Sequence, residues 1–154
     1  MTTYNFSRIS LPNDSIVYNI GRLYVLLDSY LYKEAYKEFN LNPAKFNLLM
    51  VVKHIGKDNG LSQREISNSL YVSAANITKL IDTAEREGLV ARGASGQDRR
   101  INLIKITEKG SKLLDEVWPK HVSAINNIFE KISMKDRQKL NRLLDLFKKN
   151  MEAR

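Results

Sequence analysis

Residues Leu89–Thr107, LVARGASGQDRRINLIKIT, differ from everything around them. On either side, apolar residues recur every three or four positions, the spacing of amphipathic helices. Here two short β-like runs flank a Gly-rich tip that ends in Asp98-Arg99-Arg100. Gly93 and Gly96 supply the backbone freedom that a tight turn demands. Asp98 and Arg100 stand two apart on a strand, so their side chains leave on the same side. The carboxylate can brace the guanidinium and reduce the rotamer freedom lost on binding. Taken as a bare surface ion pair, the same two residues contribute only about 0.5 kcal/mol. Arg99 and Arg100 at a projecting apex have no packing purpose, however. Braced arginine suits the narrow minor groove of DNA, where negative potential is strongest.

The segment before the hairpin carries a second signal. In LSQREISNSL, Ser62 and Glu65 form a capping box ahead of Ile66 and Leu70. A three-residue link (Tyr71, Val72, Ser73) follows, and Ser73 is placed to cap AANITKLIDTAEREG. Ile77, Leu80, Ile81 and Ala84 make the predicted inner face of that helix, and Gly88 its left-handed stop. Its outer face then presents Ser73, Ala75, Asn76, Thr78 and Lys79. These side chains are small or hydrogen-bonding, so the backbone can approach base edges. Asn pairs bidentately with adenine, Lys reaches guanine or phosphate, and Ala or Thr methyls touch thymine. Arg64 on the preceding helix joins this candidate DNA-binding set. Many helix pairs with polar outer faces bind nothing, and Lys79 taken singly reads as an ordinary surface lysine. Helix, link, helix and hairpin together are the parts of a winged helix-turn-helix, whose second helix enters the major groove.

Outward from this unit, the remaining chain is predicted to be helical. A long first helix starts after Asn13 or Asp14 as cap and runs to about Phe39. It carries a stripe of Ile16, Ile20, Leu23, Leu27, Leu31 and Ala35, broadened by Val17, Tyr24, Leu26 and Tyr30. That girth suggests two partners, its own domain and a second copy of the chain. Asn42-Pro43 opens a second helix with Phe46, Leu49, Met50 and Val52, ending near Gly56 before the turn KDNG. Thr107 caps a helix beyond the hairpin, which Pro119 is expected to bend or interrupt. Ser133 with Asp136 starts the last helix, with Leu140, Leu143, Leu144 and Phe147 along one side. Ile16, Ile20 and these four residues are the candidate dimer contacts.

Composition bounds the reading. The chain has 154 residues, enough for one domain over 1–154 with a sizeable core. Its net charge is +8, from 25 Lys and Arg against 17 Asp and Glu, which suits a polyanionic partner. The excess is spread along the chain, so it permits nucleic-acid binding without marking a face. No cysteine is present, which excludes disulfides, thiolate metal sites and cysteine redox switches. No apolar run approaches a membrane span and no secretory leader is evident, so a cytoplasmic location is expected.

At this point the residues resemble the MarR-type winged-helix transcription factors, across nearly the whole chain. LNPAKFNLLMVV (41–52) resembles the family's second helix, LSQREISNSLYVSAANITKLID (61–82) its helix-turn-helix, and EREGLV (85–90) its approach to the wing. DRRINLIKITEKG (98–110) follows the wing pattern most specifically. Ala84 departs from the larger aliphatic often found there. The resemblance implies a mainly α fold with a small β-hairpin wing. The DNA-binding lobe would span 41–107, and a dimerisation lobe of terminal helices 13–39 and 108–151. It implies a homodimer on a pseudo-palindromic operator, acting as a regulator of transcription, most often a repressor. It also implies a small anionic aromatic effector that binds between the lobes. The absence of cysteine removes the peroxide-sensing mechanism of some members. His54 and His121, the two histidines, are too few for a zinc site, so no metal or other cofactor is expected. Tyr18, Tyr24, Tyr30, Tyr32 and Tyr36 read as packing residues before pocket residues.

Two other classes compete. An enzyme would need a nucleophile elbow, a phosphate loop or converging titratable groups, and the sequence offers none. A winged helix used for protein contacts, or for architectural DNA binding without ligand response, shares most of the same residues.

Overall fold

The computed structural model describes residues 12–70, 72–94 and 102–153. Among these residues, six α-helices and the hairpin strands follow in the expected order, with one further short strand. They are α1 (Pro12–Leu31), α2 (Pro43–Val51), β1 (Leu61–Ser62), α3 (Gln63–Leu70), α4 (Ala74–Arg86), β2 (Val90–Ala94), β3 (Asn102–Ile106), α5 (Glu108–Phe129) and α6 (Met134–Glu152). The arrangement is mainly helical with a β wing, as the spacing predicts.

Capping side chains punctuate the chain. Asn42 accepts the Lys45 N–H at 2.8 Å, and Thr107 accepts that of Gly110 at 3.0 Å. Ser133 accepts the Asp136 N–H at 3.2 Å, while Ser73 accepts that of Asn76 at a longer 3.5 Å. Each such cap satisfies an orphan helix donor and stabilises by about 1 kcal/mol. The capping box forms as well. The Ser62 N–H and hydroxyl both donate to Glu65 Oε2 at 2.7 Å. Those two bonds hold the Glu65 carboxyl below its ordinary range.

Several expectations need correction. α1 already includes Pro12, so Asn13 and Asp14 lie in its first turn instead of capping it. Proline tolerates that position because its missing N–H would be unsatisfied anyway. The run toward Phe39 is not one α-helix. A π turn spans Tyr32–Tyr36 and a 3₁₀ turn Lys37–Phe39, closed by Asn40 in the left-handed region at φ 53°. Ala35 and Tyr36 in the wider turn are both buried, so the change of pitch coincides with the chain turning into the core. α2 also ends in a π turn, Val52–Gly56. Pro119 does not interrupt α5, where Val117 and Ala124 on either side both bury in the same core. Gly93 lies inside β2 opposite Leu103, not in the turn, and Gly96 falls outside the described residues.

The wing is more than a hairpin. β3 pairs antiparallel with β2 on one side and with β1 on the other, in the order β1-β3-β2. Leu61 stands opposite Ile104 and Ser62 opposite Leu103. A two-residue strand has no readable periodicity, and Ser62 already carried the capping signal.

At the base of the wing three elements meet. Gly88 at φ 72° closes α4, with the Leu89 N–H bonded to Ala84 O at 2.9 Å and the Gly88 N–H to Glu85 O at 2.8 Å. Gly110 in the first turn of α5 lies so close that a Cβ would sit 2.1 Å from Leu89 O. Thr107 Oγ1 donates to Gly88 O at 2.7 Å while accepting from Gly110. The end of α4, the start of β2 and the start of α5 are therefore fixed to one another. Beneath them, Phe46, Leu48, Leu49, Val52, Ile66, Ile77, Ile81, Val90, Ile104, Leu114 and Val117 form one buried cluster.

Candidate nucleic-acid interface

α4 presents a two-sided surface. Ile77, Ile81 and Ala84 are fully buried and Leu80 is half-buried, so the inner face falls where the spacing places it. Ser73, Ala75, Asn76 and Lys79 are exposed on the other side, and Arg64 is exposed on α3. Thr78 differs from expectation. It is half-buried, and its hydroxyl accepts a hydrogen bond from Gln63 Nε2, which ties α4 to α3. Thr78 thus has a holding role within the helix pair, in place of a free outer position.

The sequence reading missed Arg86. It is exposed seven residues after Lys79 and so shares that side of α4. Helical spacing alone would have found it. Lys79 and Arg86 give cationic heads to a side of α4 otherwise made of small and polar side chains, and Arg64 adds an exposed cation on α3. The α4 N-terminus adds the positive end of the helix dipole.

The predicted wing-tip residues Asp98, Arg99 and Arg100 lie outside the described residues. A different acid–arginine brace is present at the wing base. Arg92, in the middle of β2, extends one guanidinium nitrogen to Asp82 and another to Glu85. The Arg92 backbone N–H also donates to Glu85 Oε1 at 3.1 Å. Its guanidinium is held above the ordinary range, chiefly by the Asp82 bond.

A second missed pair closes the far end of α4. Lys45 is only 6% exposed, and its Nζ donates to both carboxylate oxygens of Glu87 at 2.8 and 2.9 Å and to Asn40 O at 3.1 Å. All three ammonium protons are thereby used. Lys109 Nζ donates to the Glu87 carbonyl at 2.7 Å. Two cations thus meet the negative end of the α4 dipole. A contact across 42 positions leaves no local trace in sequence.

His121 is a satisfied histidine. Its Nδ1 lies 2.7 Å from the Tyr36 hydroxyl, which donates when the imidazole is neutral and Nδ1 carries no proton. Phe46 stacks on the ring at 4.6 Å and Trp118 at 5.5 Å. Burial pushes the imidazole below its usual value and the Tyr36 phenol well above its own. Among the described residues no group of three or more potential ligands could hold a metal. Of the five tyrosines considered, Tyr36 is buried and Tyr24 is 70% exposed on α1.

The candidate dimer residues lie on the outer helices and outside the core. Ile16, Leu140, Leu143, Leu144 and Phe147 are exposed, and Ile20 is half-buried.

With this geometry in place, similarity to known proteins becomes informative. A model of the MarR family matches residues 39–101, from the end of the first helical run to just before β3. The HTH-type transcriptional regulator MhqR of Bacillus subtilis is 32% identical over 114 residues, covering 74% of this chain and 76% of that one. The chain belongs to the MarR family. Another MarR-like relative, the HTH-type transcriptional repressor YetL of Bacillus subtilis, is 33% identical over 110 residues, 71% of this chain and 65% of its own. The solved complex of Staphylococcus aureus MepR with DNA shares the fold, with a TM-score of 0.79 at 17% identity over 87% of this chain and 96% of that one. The chain is accordingly a MarR-family, DNA-binding regulator of transcription. No helix among the described residues is long and apolar enough to cross a membrane.

Proposed function

We propose that two copies of this chain act as a cytoplasmic repressor, placing a pair of α4 helices in successive major grooves of a pseudo-palindromic operator. The observation that carries this reading is the outer face of α4. Ser73, Ala75, Asn76 and Lys79 are exposed there with Arg86, on a helix whose other side is sealed in the core, and Arg64 is exposed on α3. Asn76 is the base-reading candidate by its bidentate amide, and the cations are phosphate contacts. Asp98, Arg99 and Arg100 take the minor-groove role at the wing tip. Ile16, Ile20, Leu140, Leu143, Leu144 and Phe147 meet their counterparts in the second copy, with 41–107 as DNA-binding lobe and 13–39 with 108–151 as dimer lobe.

A small anionic aromatic effector fits the same reading. An open cleft of about 310 Å³ lies between the π turn after α2 and α5, lined by Lys53, His54, Leu114, Asp115 and Trp118. The half-exposed Trp118 ring offers a stacking surface. Lys53, paired with Asp115 at 2.7 Å, offers a cation for which an aromatic carboxylate would compete. Selecting bound duplexes from a random pool with the purified protein tests the proposal. A two-fold symmetric consensus, bound more tightly than a scrambled duplex and released by a hydroxybenzoate, is the expected result. Equal affinity for consensus and scrambled duplex would make the protein an architectural binder.

A further inference from the structure

Thr78, Asp82 and Glu85 occupy one flank of α4, at positions i, i+4 and i+7. Two of the three are acidic, on a helix whose partner is to be a polyanion. Lone carboxylates there would repel phosphate and gain nothing in packing, since Asp82 and Glu85 side chains are 49% and 36% exposed. What they do instead is hold Arg92. β2 is the edge strand of the wing sheet, so its outward N–H groups lack a strand partner. Glu85 fills that role for Arg92, accepting from the backbone N–H and from the guanidinium with its two oxygens. Asp82 takes the second guanidinium nitrogen. One planar, pre-organised fork therefore spans a turn of α4 and fixes it to the strand that leads into the wing.

We propose that Arg92 is a positioning residue for DNA binding, clamped by Asp82 and Glu85 so that α4 and the wing meet the duplex as one rigid unit. The clamp sits on the flank where Gln63 bonds Thr78, so α3, α4 and β2 are joined along a single edge. The opposite flank, with Asn76, is left free for bases. Arg92 is neutralised by two acids and so is not itself a free cation for phosphate. The clamp also masks the acidic flank. This inference rests on the reading of α4 as the groove-entering helix.

The test uses the full chain, a duplex selected by the wild-type protein and a scrambled duplex of equal length. Asp82→Asn/Glu85→Gln removes two negative charges and frees Arg92. If these acids were merely a repulsive blemish, binding to both duplexes would tighten and the proposal would fail. With a clamp, affinity for the selected duplex drops about tenfold while that for the scrambled duplex is unchanged or tighter. A parallel loss on both duplexes also overturns it, because that pattern reports general damage. Arg92→Lys keeps the charge but lacks the fork, and is expected to reproduce the selective loss. Wild-type discrimination between the two duplexes is measured first. Its absence would sink the reading of α4 as a sequence-reading helix, whereas its presence with an unaffected double variant would sink only the clamp.

Discussion

Helices α4 and α6 are both amphipathic, yet they end up in opposite circumstances. α4, with 13 residues, seals Ile77, Ile81 and Ala84 completely within its own chain and is tied at both ends by caps and ion pairs. α6, with 19 residues, has no buried residue at all, and Leu143 stands 55% exposed. α1 is similar along much of its length, with Ile16, Val17, Leu23 and Tyr24 in the open. The winged part is closed by contacts within one chain, while the outer helices carry rows of apolar side chains that one chain leaves unused. Such rows on a charged chain are what the proposed second copy would cover. On the proposed reading, binding and assembly are built on separate surfaces, so each should fail separately.

The largest break belongs to the closed region. Ile77→Ala empties a fully buried site beneath the groove-facing helix and is expected to cost about 2–5 kcal/mol of unfolding free energy. Denaturant titration at fixed protein concentration measures it, and a loss below about 1 kcal/mol would mean that α4 is held mainly by its ion pairs. On α6, Leu143→Asp/Leu144→Asp changes two exposed side chains. It is expected to convert the protein to monomer in sedimentation and to weaken binding of the symmetric duplex about a hundredfold, while half-site binding survives. A dimer that persists in this variant would move the assembly surface elsewhere.

How far each region was legible in the sequence follows from where its signals lie. The caps Asn42, Ser73, Thr107 and Ser133, the Ser62–Glu65 box and the Gly88 stop act over three or four residues, and each is found where the sequence places it. The inner face of α4 follows from periodicity alone. The π turns at Tyr32–Tyr36 and Val52–Gly56 were not legible, because a change of helical pitch is decided by what packs around the turn. The Arg92 and Lys45 clamps were invisible for a related reason. Their partners lie 7–10 and 42 residues away in elements whose relative placement only the fold supplies. Thr78 shows the same limit at smaller scale: a helical wheel places it outward, yet Gln63 from the neighbouring helix claims its hydroxyl.

Within the candidate site, Asn76→Ala sharpens the contrast between reading and positioning. The amide is exposed and α4 does not need it for packing, so stability should be unchanged. Discrimination at one base position is expected to fall by about 1–3 kcal/mol, with other positions unaffected. Competition binding with single-substitution duplexes checks this. A uniform loss over all duplexes would make Asn76 a phosphate contact.

The smallest expected effect concerns the joint between the two regions, where His121 of α5 meets Tyr36 and Phe46 from the first two helical runs. Burial holds the folded-state imidazole below its ordinary value of 6.5. In the unfolded chain the same group takes up its proton near 6.5, so just below that pH the unfolded state binds more protons than the folded one. Stability therefore declines as pH falls through 6.5, and this contribution stops changing once the folded-state imidazole protonates too. Protonation would also reverse the bond at Nδ1, turning an acceptor of the Tyr36 hydroxyl into a donor toward it. Melting temperatures between pH 7.5 and 5.5 should fall further for the wild type than for His121→Phe, which keeps the stacked ring and removes the titration. The Glu65 carboxyl, with its lowered pKa, loses its stabilising contribution only at more acid pH, outside this window. Equal slopes for the two proteins would show that the joint carries no proton linkage, and that the regions it connects respond to acid independently.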